Sequence, residues 1–277
     1  MSKPSLQEAA LLVSLNISQW SARKYDKKVT KEVDENHEAK NAGRYNALLV
    51  PKESLKPITT VASAARTYLY EVTFPWGNNG DRLLPYELFV KPFMTTITDL
   101  RDKFDKAVRT FIALYPTLKD GARKWRGTLY DPADYPEDIS DKFSFPSPDV
   151  TTLPNVDDFR VNLSADYVDS IKREMIEREN ALKEQSNKIC WTRLRSYTER
   201  IIEICDNPDS KIYETLMSNP KEFITILPHM NLMDDARLIL VGEELNKLLV
   251  PVDRLKKDKG LKANIARQAN AVLALFP

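Results

Sequence analysis

Two short stretches of the chain combine cations with aromatic side chains, which is the chemistry that single-stranded nucleic acid requires. Lys and Arg bind the phosphates, and unpaired bases stack on aromatic rings. The first stretch contains Trp20, Arg23, Lys24, Lys27, Lys28 and Lys31, and the second contains Lys119, Arg123, Lys124, Trp125 and Arg126. These residues are therefore a candidate site for single-stranded DNA or RNA.

A plainer interpretation of both stretches is a face of the protein that simply contacts solvent. Glu32, Asp34, Glu35 and Glu38 follow the first stretch directly, and their charges cancel its field. In the second stretch, Trp125 could anchor a core while the cations around it form a solvated rim. We favour this interpretation over nucleic-acid binding.

The sequence contains few residues in arrangements that are typical of a catalytic site. The chain has two histidines, His37 and His229, in unrelated sequence contexts, so neither a triad nor a multi-histidine metal site is suggested. Carboxylate pairs such as Asp234-Asp235 are direct neighbours, and neighbours on a helix or strand do not face one site. The sequence contains no phosphate-binding loop, dinucleotide-binding glycine pattern or nucleophile elbow. We expect a non-enzymatic protein with no cofactor and no metal.

Composition favours a globular intracellular protein. The 277 residues carry 41 Lys and Arg against 40 Asp and Glu, so no overall field draws the chain to nucleic acid or to an anionic membrane. Cys190 and Cys205 lie about 22 Å apart on one predicted helix, too far for a disulfide, which fits a reducing compartment. Because we find neither a signal-peptide pattern nor a run of about 18 apolar residues, we expect a cytoplasmic location and no membrane partner.

The rest of the chain is organised around a predicted helix from Ser164 to Asp206, roughly 60 Å long. Ser164 suits the N-cap, and no glycine or proline interrupts the run. Apolar residues recur at steps of three and four and form one stripe: Val168, Ile171, Met175, Leu182, Ile189, Leu194, Tyr197, Ile201 and Ile204. Arg178 and Gln185 occupy stripe positions, so the seam is polar in its middle.

A helix of this length needs a packing partner, because most helical stability in water comes from packing. The best candidate is a second predicted helix, from Pro92 to Tyr115, whose apolar residues have the same spacing. Packed antiparallel, the two would form a long coiled-coil-like hairpin. The simpler alternative is that each stripe only faces the core.

Shorter elements complete the predicted fold. A helix is predicted from Ile58 to Phe74, followed by a loop from Pro75 to Pro85. Two strand-like pieces, Lys142–Phe145 and Phe159–Leu163, would pair as a small β-ribbon. Helical spacing predicts a C-terminal helical bundle from Lys211–Met217, Pro220–Leu227, Asp234–Leu249 and Lys262–Phe276.

These elements define a mainly α fold. We expect residues 1–163 to form an N-terminal helical region that holds the small β element. Residues 164–277 would form the long helix and the C-terminal bundle, and the two regions would make one continuous structural unit.

Several short phrases resemble a family of uncharacterised tailed-phage proteins. The phrases are Ser14–Lys24, Pro75-Trp76, Arg82–Pro85, Phe104–Pro116, Asp141–Phe145, Asp158–Val161 and Leu227–Leu232. The chain also resembles, more distantly, a bacterial domain of unknown function found near genes for MoxR-like AAA+ ATPases and von Willebrand factor A proteins. The resemblance implies a phage or mobile-element source and no established activity, so it assigns no catalytic residue.

Two functional hypotheses follow from these observations. Because the chain has a long helical hairpin and no catalytic constellation, we expect a phage protein that binds a protein partner, such as a host factor, or self-assembles. The alternative is a single-stranded nucleic-acid-binding protein of phage replication or recombination, which depends on the two basic-aromatic stretches.

Overall fold

The computed structural model describes residues 5–77, 80–154, 165–207 and 209–277. Helices account for 67% of the chain and strands for 9%, which confirms the mainly α class. The chain divides into two compact units. The first comprises Met1–Val13, Tyr70–Phe93 and Val150–Pro277, and the second comprises Ser14–Leu69 and Met94–Asp149. The expected boundary between residues 163 and 164 lies outside the described residues and stays a prediction.

The three longest described helices lie in the middle of the chain, between residues 52 and 206. In chain order they are α1 Leu6–Ala9, β1 Ala10–Ser14, β2 Arg23–Tyr25, α2 Lys27–Asn36, β3 Asn46–Leu48, α3 Lys52–Val72, β4 Phe74–Pro75, β5 Arg82–Pro85, α4 Tyr86–Leu88, α5 Thr95–Arg126, β6 Asp149–Thr152, α6 Ala165–Asp206, α7 Thr215–Met230, α8 Ala236–Asn246, α9 Val252–Lys257 and α10 Lys259–Leu273. A segment that is kinked at Lys91, Phe89–Met94, and three 3₁₀ turns, Gly127–Leu129, Pro132–Asp134 and Ser140–Lys142, lie between them.

The first unit contains a four-stranded sheet in the order β4-β5-β1-β6. β5 pairs antiparallel with both β4 and β1, with Leu83 opposite Leu12. The loop predicted from Pro75 to Pro85 is therefore wrong at its end, where Leu83 and Leu84 are fully buried. Two adjacent buried leucines gain more from a paired, covered strand than from a solvated loop.

The predicted β-ribbon stays a prediction, because one of its two pieces is not among the described residues. Its first piece, Lys142–Phe145, forms only an isolated bridge between Ser144 and Ser18. Its second piece, Phe159–Leu163, lies outside the described residues. Among the described residues, the β structure comprises the sheet just described and the β2–β3 pair.

The long helix α6 is confirmed over 42 residues, although its predicted N-cap Ser164 lies outside the described residues. In the first unit, α10 packs along α6, and α7 and α8 add further contacts, which supports the predicted C-terminal bundle. The buried residues at this packing include Cys190, Leu194, Ile201, Ile265, Ala266 and Ala269. Small residues on both helices let the backbones approach closely.

Polar groups inside this bundle are paired locally. Ser186 and Thr198, both buried in α6, donate to the carbonyl oxygens of Leu182 and Leu194 at 2.8 Å. At the end of α6, the ammonium of Lys262 donates to the Asn207 carbonyl oxygen at 2.6 Å. This lysine binds a carbonyl at the end of the helix, where the dipole also favours a cation.

α7 is one helix, whereas the sequence suggested two pieces separated at Pro220. The helix continues from Thr215 to Met230 with Pro220 and Pro228 inside it. A proline removes one hydrogen bond from a helix, and here the burial of Phe223 and Leu227 offsets that loss.

In the second unit, α5 extends through Pro116 and ends at Arg126, eleven residues beyond the predicted end at Tyr115. Its buried face carries Ile97, Phe104, Phe111 and Tyr115. Phe104 meets the edge of Phe145 with ring centroids 5.6 Å apart, and Phe111 meets Phe143 at 5.8 Å. α3 buries Ile58, Ala62, Ala65 and Leu69, as the helical pattern predicted.

The two long helices belong to different units, α5 to the second and α6 to the first. The antiparallel coiled-coil-like hairpin is not confirmed and stays a prediction. Within the first unit, the buried face of α6 is covered by α10, α7 and α8.

Candidate interaction surfaces

In the second unit, the two basic-aromatic stretches meet at a single carboxylate, Asp134. Lys24 of β2 and Arg126, the last residue of α5, both donate to it, the latter from Nη1 at 3.2 Å. Arg126 also donates to Tyr135 Oη at 3.3 Å, and only 3% of its side chain is exposed. The hydrogen bond to Asp134 raises the pKa of Lys24 above its usual range. Burial lowers the pKa of Arg126, but its bonds to Tyr135 and Asp134 outweigh burial and raise it.

Local sequence explains why these segments meet. Asp26 caps α2, because its carboxylate accepts from the backbone N–H groups of Lys28 at 3.0 Å and Val29 at 3.1 Å. α5 is followed directly by Gly127, whose φ of +55° allows the chain to reverse without the strain that a side chain would add. The following turns therefore come to lie beside β2 and the start of α2.

The surface between these segments is a groove of about 580 Å³. Its charged lining residues are Lys24, Lys27, Lys28, Asp26, Glu32, Asp131 and Asp134. Three lysines face four carboxylates, which leaves a formal charge of −1. A groove that binds a phosphate backbone needs a net positive field, so this lining does not favour nucleic acid.

Around the groove, the remaining residues of the first stretch are placed differently from one another. Trp20 is half-buried and packs edge-on to Tyr115 with ring centroids 5.6 Å apart, so part of its side chain is covered. Arg23, Lys27 and Lys28 are exposed to solvent. Lys31 is exposed and forms an ion pair with Glu35 at 3.1 Å.

The residues of the second stretch lie on the last turns of α5. Lys119 is half-buried, Lys124 is exposed, and Arg123 lies over the Tyr130 ring at 5.7 Å. Trp125 is 47% exposed, so the alternative in which it anchors a core is wrong. Trp125 is thus an exposed aromatic ring beside exposed cations.

Sequence reasoning missed two other contributors to this region. Arg44 lies over the ring of the exposed Tyr25 at 5.7 Å, because β3 pairs with β2 and brings residue 44 close. Tyr130 lines the groove just after α5. A three-residue strand pair gives almost no sequence signal, since such short strands lack visible alternation.

The first unit offers a different kind of surface on α6. We divide this helix into an N-terminal half, Ala165–Gln185, and a C-terminal half, Ser186–Asp206. From Asp166 to Gln185 every side chain is exposed or half-buried, including the stripe residues Val168, Ile171, Met175 and Leu182. Tyr167 is 69% exposed and Ile176 is 49% exposed. The N-terminal half therefore carries apolar side chains that the described chain does not bury.

Glu179 fixes this half to the N-terminus of the chain. Its carboxylate accepts from the Leu6 backbone N–H at 2.9 Å, and Lys183 forms an ion pair with it at 2.9 Å. Burial raises the pKa of Glu179, but the hydrogen bonds from Lys183 and Leu6 outweigh burial and lower it overall. Met175 and Glu179 also line a small cavity with Trp76 and Leu153.

The histidines and carboxylates show no metal centre within the described ranges. There, no group of three or more His, Cys, Asp or Glu side chains is placed to hold a metal ion. His229 lies in the last turn of α7 and pairs through Nδ1 with Glu87 of α4. His37 is exposed after α2. Every helix in the described part of the chain is too short or too polar to cross a membrane.

Comparison of the chain with protein-family models, with curated proteins and with solved structures gave no match. The resemblance to tailed-phage proteins therefore stays a hypothesis. The fold and the two surfaces are the only basis for a functional proposal.

Proposed function

We propose that this protein acts by binding a second protein chain through the N-terminal half of α6 and does not catalyse a reaction. The chain bound is another copy of the protein or a different partner. If the phage resemblance holds, a partner would be a phage or host protein. The observation that carries the proposal is the apolar stripe of this half, which the described chain leaves half-exposed.

The spacing of the stripe suits a partner helix. Val168, Ile171, Met175 and Leu182 occupy positions of a seven-residue repeat, and Arg178 interrupts it with a charge. Fully burying one such apolar side chain contributes about 1.5–3 kcal/mol. A partner that covered three or four of these side chains would gain enough to offset the cost of association at micromolar concentrations.

The test is light scattering combined with size exclusion over a concentration series of the purified full chain, followed by affinity capture from infected cells. We expect either a concentration-dependent oligomer or a stoichiometric complex. The double variant Val168→Glu, Ile171→Glu should abolish association, because it places charges on the stripe. A chain that stays monomeric and captures nothing stoichiometric would refute the proposal.

Leu240→Glu is the matched control. Leu240 is 51% exposed on α8, so the same change from an apolar to an acidic side chain occurs on another face of the same unit. Circular dichroism and melting temperature of both variants should match those of the natural chain. Loss of association in the control as well would show that added charge, rather than the stripe, is responsible.

A second candidate function is single-stranded nucleic-acid binding by the second unit. What favours it is that the two stretches lie side by side, with the exposed Trp125 near exposed cations. What weighs against it is the net negative groove between them. We therefore rank it below protein binding.

Fluorescence anisotropy of labelled single-stranded DNA and RNA at two salt concentrations tests this candidate. Binding should weaken steeply with salt, and the variant Lys27→Ala, Lys28→Ala should reduce the salt slope by about 2. The control is Lys256→Ala, Lys257→Ala, an exposed lysine pair on α9 of the other unit. An affinity for nucleic acid that does not change with salt concentration would exclude this binding site. Equal losses of affinity in the two double variants would also exclude it.

A further inference from the structure

A cavity of about 300 Å³ lies in the first unit where α6 is followed by α7. Its lining residues are Ser196, Tyr197, Arg200, Ile204, Lys211, Tyr213, Thr215, Leu216 and Asn219. Neither of the two surfaces discussed above includes these residues. The cavity is therefore an independent feature of the molecule.

The charges of this cavity all have one sign. Arg200 and Lys211 are cations, and no carboxylate is found among the described residues that line it. The groove beside Asp134 and the small cavity beside Glu179 each include at least one carboxylate in their lining, and so does a further cavity beside His229, which Glu87 and Asp234 line. A lining with two cations and no carboxylate favours an anionic ligand.

The cavity also contains unused hydrogen-bond donors. The side chains of Lys211, Ser196, Thr215 and Tyr213 make no hydrogen bond or ion pair within the described part of the chain. Arg200 pairs with Glu203 at 2.6 Å, but both side chains are more than half exposed, and such a pair is weak in water. A phosphate group can compete for this guanidinium, because Arg binds phosphate oxygens in a two-pronged geometry.

The segment that carries Lys211 and Tyr213 is held in place at its start. Asn207 makes a turn in which its side-chain oxygen accepts from the backbone N–H of Asp209 at 3.0 Å. Lys262 of α10 donates to the Asn207 carbonyl oxygen at 2.6 Å. At the other end, where α7 starts, the backbone carbonyl oxygen of Tyr213 accepts from the Leu216 backbone N–H at 3.0 Å. The cation and the aromatic ring therefore sit on a segment tied to α6, α7 and α10.

We infer that this cavity binds a mononucleotide, with Arg200 and Lys211 at the phosphate and Tyr213 stacked on the base. Tyr213 is 65% exposed, so its side chain is accessible to a planar ligand. The volume lies at the lower end of the range of about 300–1,000 Å³ for small-molecule sites, which suits one nucleotide. This inference does not depend on the proposed protein-binding function.

Isothermal titration of the full chain with adenosine 5′-monophosphate tests the site, with adenosine and inorganic phosphate titrated separately. We expect saturable binding of the nucleotide that is tighter than binding of either fragment. Lys211→Ala and Arg200→Ala should each weaken it about tenfold or more, since each removes a charge-assisted bond. Tyr213→Ala should weaken it, and Tyr213→Phe should keep most of the affinity because stacking needs only the ring.

Lys221→Ala is the matched control, because Lys221 is an exposed lysine of α7 outside the lining. It should leave nucleotide affinity unchanged. Inorganic phosphate that binds as tightly as the nucleotide would reduce the site to a general anion site and overturn the inference. Absence of saturable nucleotide binding, or binding that neither Lys211→Ala nor Arg200→Ala weakens in variants with a natural circular dichroism spectrum, would also overturn it.

Discussion

The two halves of α6 share one continuous helix, yet they are covered very differently. The C-terminal half is packed by α10, α7 and α8, and its buried line runs through Ser186, Cys190, Leu194, Thr198 and Ile201. The N-terminal half also carries an apolar stripe, but none of its described side chains is buried. The more deeply buried half is thus the one whose core line includes small and polar residues.

Within the C-terminal half, burial follows the packing partner rather than apolar content, because Ser186 and Thr198 are buried whereas Ile189 is half-buried. The buried line moves in steps of four through Ser186 and Cys190, whereas the apolar stripe of the sequence runs through Leu182 and Ile189. α10, which packs along this half of α6, likewise buries small side chains, Ala266 and Ala269. In the N-terminal half, the apolar stripe is only half-buried, and we propose that a partner chain covers it.

Truncating a core residue should have the largest effect on stability. Leu194 is fully buried in the C-terminal half, so Leu194→Ala should lower the free energy of unfolding by about 2–5 kcal/mol through lost burial and a new cavity. Ile176→Ala in the N-terminal half should cost less than about 1 kcal/mol, because Ile176 is half-exposed. Urea unfolding followed by circular dichroism measures both.

Equal losses for the two variants would contradict the distinction between the halves. The measurement should be made at a protein concentration where the natural chain is monomeric. Otherwise Ile176→Ala would also report on association, and its cost would rise with concentration.

The second prediction concerns the reactivity of the two thiols in the packed half. Burial raises the pKa of Cys190 from an ordinary value of 9.0 to about 12, which makes its thiolate about a thousand-fold scarcer at neutral pH. Burial also raises the pKa of Cys205. In the folded protein we expect both to react with a thiol reagent only at the rate of local opening, as mass spectrometry can follow.

A cysteine introduced by Ile176→Cys provides the contrast from the other half. It should react at nearly the rate of a free thiol, and unfolding in urea should make all three thiols equally reactive. Rapid labelling of Cys190 in the native chain would mean that the C-terminal half opens far more often than its burial implies.

Strong helical periodicity made α6, most of α5 and the C-terminal bundle predictable from the sequence. No glycine or proline interrupts α6, and the buried face of α3 followed its pattern at Ile58, Ala62 and Ala65. The prolines led to wrong predictions of where two helices end. Pro116 and Pro220 lie inside helices because buried neighbours such as Phe111 and Phe223 stabilise the helix beyond the cost of one hydrogen bond.

The interaction surfaces were less predictable because they depend on contacts distant in sequence. The sequence indicated that the two basic stretches were rich in cations, but not that Lys24 and Arg126 would share Asp134. Trp20 and Trp125 are similar in local sequence context, yet one packs against Tyr115 and the other is exposed. Whether each of these tryptophans is covered or exposed depends on tertiary packing, which the local sequence does not indicate.

A third prediction tests the polar contact that joins α8 to the C-terminal half. Asp235 accepts from Trp191 Nε1 at 3.0 Å and Asn187 Nδ2 at 3.2 Å, and it also caps α8. Asp235→Ala should therefore cost about 1–3 kcal/mol, since it leaves several donors without an acceptor. Urea unfolding monitored by tryptophan fluorescence provides the measurement.

The same carboxylate has a predictable pH dependence. Burial raises the pKa of Asp235, but hydrogen bonds from Trp191 and Asn187 outweigh burial and lower it below its ordinary value of 3.8. Its stabilisation is therefore complete above that value and is lost as the pH falls through the lower, folded-state pKa. Asp235→Asn should remove this acid-dependent loss, and Asp253→Asn, at an exposed position on α9, should keep it. An unchanged acid profile in Asp235→Asn would contradict the assignment.

The smallest effect is expected at Glu179, which ties the N-terminal half of α6 to α1. Glu179→Ala removes the acceptor of the Leu6 backbone N–H, so we expect a cost of about 0.5–1.5 kcal/mol and faster hydrogen exchange at that amide. Glu179→Gln keeps an acceptor oxygen and should cost less. If Glu179→Ala instead destabilised the protein as much as Leu194→Ala, the N-terminal half would belong to the cooperative core. In that case the contacts of the N-terminal half within the chain would already be strong, and a partner would not be needed to stabilise it. That result would count against the binding surface that we propose.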